Sequence, residues 1–183
     1  MVKSDQAKRI AILNGWKMED YYHLIKRQYI NSKGDSIGLF KTILAIAEEI
    51  GLDQSLAYLE QCVSEKRLAW LDCHQENFGL TEEPIVDAYR LFYEAYLGVS
   101  VPDDGMIVEQ TEHRIVMRWW NSCPTLTACQ ELGLDTREIC RKAYHQPVQA
   151  FLSILNPKLR FDRKYEALRP FQEYCEETIT LEE

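Results

Sequence analysis

The chain lacks most of the short signatures that would name a chemistry outright. It has no Cys-x-x-Cys pair, which removes the zinc-ribbon and thioredoxin-like readings. It has no glycine-rich phosphate loop, no Gly-x-Ser-x-Gly elbow and no His-Glu-x-x-His helix. Long apolar runs are missing too. No window approaches the ~18 consecutive apolar residues of a membrane span, and the opening MVKSDQAKRIAILNGW has no apolar core or cleavage site of a secretory signal. Positive charge is in short supply: 21 Lys and Arg stand against 29 Asp and Glu, a formal net charge of −8. A basic face for phosphate backbones is not expected, so nucleic acid is set aside as a partner, and an anionic membrane surface with it. The expectation is a cytoplasmic protein.

What is present is a globular composition, 46% apolar and 27% charged over 183 residues, enough for one domain with a proper core. The first 98 residues read as helices joined by explicit stop-and-start chemistry. In DSIGLFKTILAIAEEIG, Asp35 or Ser36 caps the start, Ile37, Phe40, Leu44, Ala47 and Ile50 recur at helical spacing, and Gly51 ends it. Gly79-Leu80-Thr81 and Gly133-Leu134-Asp135 repeat this joint. A helix over about 54–77 carries Leu56, Leu59, Val63 and Trp70 on one stripe. The next opens at Thr81-Glu82-Glu83-Pro84 and carries Ile85, Tyr89, Phe92 and Tyr96.

After the turn residues Pro102 to Gly105 the period changes. Met106 to Gln110 and Arg114 to Trp120 read as a hairpin. Helices then return, the longer one containing Pro147, which must kink or divide it. Two strand candidates close the chain, KLRFDRKY and YCEETITLE. The expected class is α+β in a single domain over 1–183: a helical part, 1–98, packed on a small antiparallel sheet of about four strands drawn from 105–183. The acids Glu176, Glu177, Glu182 and Glu183 read as solvated charge.

Six cysteines invite a site or simply fill a core: Cys62, Cys73, Cys123, Cys129, Cys140 and Cys175. Cys123 alone has a local argument. It stands between a strand and a helix whose first residue is Pro124, which places it at the N-cap, where free N–H groups and the helix dipole favour the thiolate. Cys129, just under two turns on, reads as core. If the helices around 124–132 and 136–145 form a hairpin, Cys140 approaches Cys123, and Cys175 arrives from the last strand. Cys123, Cys140 and Cys175 are then a possible thiolate set for a metal such as zinc or iron, with His145 a fourth ligand. A nucleophilic cysteine needs a base, and among His23, His74, His113 and His145 the choice falls on His145, beside the Pro147 break. Arg141 or Lys142 could hold a substrate carboxylate, and Trp119 could line the pocket.

The order of a hydrophobic strand into Cys123-Pro124, then ELGLD, REIC, FLSILNPKLRF and a final YC resembles the L-2-amino-thiazoline-4-carboxylate hydrolase-like family over about residues 114–179. The resemblance implies an α+β fold and hydrolysis of a cyclic carbon–nitrogen bond in a thiazoline-type amidine, and it points at Cys123, Cys140 and Cys175. The sequence departs from that pattern at Phe171-Gln172-Glu173-Tyr174, where a glycine is usual. Two other readings stay open: a non-enzymatic module for a small ligand, cofactor or metal, and a scaffold subunit whose cysteines are packed.

Overall fold

A computed structural model describes residues 15–32 and 34–183. The N-terminal run read above against a signal sequence lies outside the described residues. Six helices among the described residues pack on one four-stranded antiparallel sheet, an α+β arrangement. The helices are α1 (Met18–Asn31), α2 (Ser36–Ile50), α3 (Leu52–His74), α4 (Pro84–Ala88), α5 (Pro124–Leu132) and α6 (Thr136–Leu155). The strands are β1 (Gly105–Gln110), β2 (Arg114–Trp119), β3 (Leu159–Lys164) and β4 (Cys175–Leu181), ordered β1-β2-β4-β3.

The caps follow from side-chain chemistry. Asp35 accepts the Gly38 N–H at 2.9 Å to start α2. Gly51, at φ +83°, ends α2 and leads straight into α3. At α5 the left-handed Gly133 lets the Leu134 N–H return to the Cys129 carbonyl, and Asp135 then accepts the Arg137 N–H at 2.8 Å to open α6. The third expected joint is built differently. Leu80 is exposed, and Thr81 gives its N–H and hydroxyl to the Asp87 carboxylate instead of capping a helix, so α4 begins only at Pro84. The hydrogen-bonding capacity of Asp87 draws Thr81 away from the helix start.

Beyond α4 the chain continues as a π-helix, Tyr89–Leu97, ending at the left-handed Gly98. Its wider i→i+5 bonding brings adjacent side chains inward together. Phe92 and Tyr93 are both buried, where an α-helical stripe would admit Phe92 and turn Tyr93 aside. Pro147 does not divide α6, which runs unbroken through it, wedged between α3 and β3.

Strand alternation sends Ile115, Met117 and Trp119 of β2, Phe161 and Arg163 of β3, and Cys175, Glu177 and Ile179 of β4 to the helix-covered face. The buried apolar residues form two clusters. One joins the sheet, the π-helix and the C-terminal half of α6, with Phe92, Phe151 and Ile179. The other joins α1, α2, α5, the first half of α3 and the first half of α6, with Phe40, Leu59 and Ile139. Helices α3 and α6 pass through both. None of the described helices is long and apolar enough to cross a membrane.

Candidate functional site

Between the two clusters lies a polar seam. Its centre is a buried ion pair on neighbouring strands. Arg163 donates Nε and Nη2 to Glu177 Oε1 at 2.7 and 2.6 Å, with both side chains about nine-tenths buried. Tyr93, from the π-helix, donates its hydroxyl to the other carboxylate oxygen, Oε2, at 2.8 Å. Burial alone would lower the Arg163 pKa, but the Glu177 carboxylate more than offsets that and holds it above the ordinary range. Burial, then Glu177, raises the Tyr93 phenol. Glu177 is therefore not the solvated charge its place near the chain end suggested. At 7% exposure it is the acceptor for two interior donors.

Cys123 is the N-cap of α5, as its Pro124 neighbour requires. Its Sγ accepts the Leu126 N–H at 3.4 Å and the residue is half-buried. The approach to it is held by Arg169, which donates Nη1 to the Asn121 carbonyl at 2.7 Å. Cys140, on the first turns of α6, lies within electrostatic reach of Cys123, Cys175, Cys129 and the Arg163 guanidinium. Burial drives its thiol pKa up to about 12, with Arg163 pulling the other way. Cys175 opens β4 directly across from Trp119. Cys129 packs in the α5 core, its thiol pushed up to about 11 by burial.

The expected thiolate metal set is not made. Among the described residues no group of three or more His, Cys, Asp or Glu is arranged to hold a metal ion, so Cys123, Cys140, Cys175 and His145 are not a ligand set.

The other expected residues are scattered around the seam. His145 is half-buried, shares a hydrogen bond between Nδ1 and the Tyr165 hydroxyl at 3.0 Å, and has its ring against Phe161. Burial, and then Arg163, lowers its pKa from the ordinary 6.5. Arg141 is exposed with its guanidinium 4.4 Å above the Tyr165 ring, on the wall of a surface cleft of about 360 Å³ that also includes Arg137 and Glu166. Lys142 is taken up by Asp53 and Glu138. Trp119 belongs to the core. It is 4% exposed and stacked on Tyr93 at 4.9 Å, with Gly105 opposite because a Cβ there would strike the indole and the Arg118 carbonyl.

Sequence reasoning missed Arg163, Glu177, Tyr93, Tyr144 and Arg67. Alternation along KLRFDRKY and YCEETITLE does send Arg163 and Glu177 inward, beside Phe161 and Ile179. Arg67 stands four residues after Val63 on the very stripe that marks α3 as a core helix. An inward charge on a core stripe or strand face was the signal for Arg67, Arg163 and Glu177. Compared with known families, curated proteins and solved structures, the chain matches none.

Proposed function

We propose that the chain hydrolyses a carbon–nitrogen bond in a small cyclic compound of thiazoline or amidine type, with Cys123 as the nucleophile. The observation that supports this reading is the Cys123 cap: a half-buried sulfur that receives a backbone N–H at the start of α5, with Cys140 within electrostatic reach of both it and Arg163. Free N–H groups and the helix dipole favour the anionic sulfur. In this reading the thiolate adds to the amidine carbon, the ring carbon–nitrogen bond breaks as its nitrogen takes one proton from water and one from the exocyclic amino group, and the hydroxide left by that water adds to the sulfur-bound carbon and releases the thiolate. The net change is the addition of one water to the substrate. Replacing Cys123 by Ser is expected to abolish formation of the substrate-plus-water mass from 2-amino-thiazoline-4-carboxylate while leaving the circular dichroism spectrum unchanged. Full turnover by that variant removes the mechanism.

A second reading is favoured by His145. Its ring nitrogen is engaged with Tyr165, whereas the sulfur of Cys123 is engaged with a backbone N–H, so the paired thiol and imidazole of cysteine hydrolases are not assembled. On that reading the chain is a non-enzymatic module for a small ligand or cofactor, and the same compound binds without being converted.

A further inference from the structure

The surface cleft at the start of α6 has a volume of about 360 Å³. Its walls carry three cationic groups, Arg137, Arg141 and Lys142, and three carboxylates, Asp135, Glu138 and Glu166. Most of these charges satisfy one another. Arg137 donates Nε and Nη2 to Asp135, with its guanidinium 4.0 Å from the centre of the Phe171 ring. Lys142 is held between Asp53 and Glu138. One charge of each sign is left over. Arg141 forms no hydrogen bond or ion pair with a described residue. Glu166 forms none either, and it acts on Arg137 only through its field.

Arg141 is nevertheless fixed in place. Its guanidinium lies 4.4 Å from the centre of the Tyr165 ring, and Tyr165 is buried with its hydroxyl hydrogen-bonded to His145. The ring attracts the charge but cannot accept all five N–H donors, so donors stay open toward the cleft's other occupants. Glu166 follows Tyr165 directly, so the same buried ring anchors the backbone that carries the free carboxylate.

We propose that this cleft binds a free α-amino acid, with the ligand carboxylate on Arg141 and the ligand ammonium on Glu166. The charge balance selects the class. A simple anion meets three carboxylates on the walls and a simple cation meets three cationic groups. A zwitterion completes the one unpaired group of each sign and leaves the existing pairs as they are. The volume is at the small end of ligand sites, which suits one amino acid and not a longer peptide. Because Arg141 is already held against Tyr165, little side-chain order is lost on binding. Cys123 does not line the cleft, so the inference stands apart from the chemistry proposed for that thiol.

The test is ligand-observed NMR on the full chain with the common L-amino acids, followed by calorimetric titration of each binder. At least one is expected to bind saturably. Its N-acetyl derivative and its amide each lack one of the two charges and are expected to bind at least about tenfold more weakly. Arg141→Gln and Glu166→Gln are each expected to weaken the amino acid to a similar degree. Both side chains are exposed, so either variant is expected to melt close to the parent chain. Cys123→Ser is expected to keep the binding whether or not it keeps any hydrolysis. The proposal is overturned if no amino acid binds, if removing either ligand charge leaves the affinity unchanged, or if Arg141→Gln or Glu166→Gln binds as the parent does. Loss of binding in Cys123→Ser overturns it as well, since the amino acid then sits at the thiol and not in this cleft.

Discussion

At the scale of single residues the seam makes its thiols unequal. Burial raises Cys62 and Cys129 to about 11 and Cys140 to about 12, so all three stay protonated near neutrality. Iodoacetamide at pH 8 is expected to modify exposed Cys73 and half-buried Cys123 and Cys175 before buried Cys62 and Cys129, and before Cys140, which is half-buried like Cys123 and Cys175 but whose thiol is held protonated, with peptide mass spectrometry giving the order. Early labelling of Cys140 would contradict the raised thiol pKa given to it. The Arg163–Glu177 pair makes a second prediction. Glu177→Leu strands an interior guanidinium and the Tyr93 hydroxyl and is expected to cost about 3–5 kcal/mol in urea unfolding, whereas Arg163→Met with Glu177→Leu recovers most of it. His145 supplies a third. Its folded pKa lies below 6.5, so the unfolded chain binds the proton more readily. The native state therefore keeps its full stability above that value and loses some as pH falls below it. In His145→Gln the part of the acid slope beginning near 6.5 is expected to disappear from melts taken across pH. The slope from Glu176, whose carboxyl is held low by its hydrogen bond to Arg118, stays at more acid pH.

At the scale of elements most of the fold was legible, because hydrophobic period and cap chemistry are local. Asp35, Gly51 and Gly133-Leu134-Asp135 mark helix ends in the sequence and perform those roles in the fold. The hairpin and both late strands fall where alternation put them. The π-helix was not legible. Tyr89, Phe92 and Tyr96 satisfy an ordinary helical stripe, and only the packing of Tyr93 against Trp119 and Glu177 favours the wider turn. Nor could the sequence decide between a kink and a break at Pro147, which depends on what presses on α6 from both sides. Phe151 tests that packing. It is fully buried where α6 meets Trp70, Phe92 and Tyr96. Phe151→Ala is expected to destabilise the chain by about 3–5 kcal/mol in chemical unfolding. A loss under about 1 kcal/mol, a rotamer's worth of strain, would contradict the close packing of the aromatic cluster.

At the scale of the whole molecule, the division of the core into two apolar clusters is what makes a site available. Each cluster closes its own half, and the helices that pass between them carry polar groups at the crossing: Arg67 on α3, and Cys140 and Tyr144 on α6. Strands β3 and β4 add Arg163 and Glu177. No short motif announces this, because the residues come from four elements spread from 67 to 177, and only the packing of α3 on α6 over the sheet brings them together. Cys123 was legible because a Cys-Pro junction at a strand-to-helix turn is local. The partners it was given were wrong as a metal set for the opposite reason, since their meeting depended on tertiary geometry.

The central claim is that Cys123 does chemistry. Intact-mass spectrometry of the protein quenched in acid during reaction with 2-amino-thiazoline-4-carboxylate tests it most directly, with peptide mapping of any adduct. The account predicts a substrate-derived adduct on Cys123 that is absent in Cys123→Ser, together with loss of the hydrated product. Hydrated product formed without an adduct, and formed equally by Cys123→Ser, would contradict it.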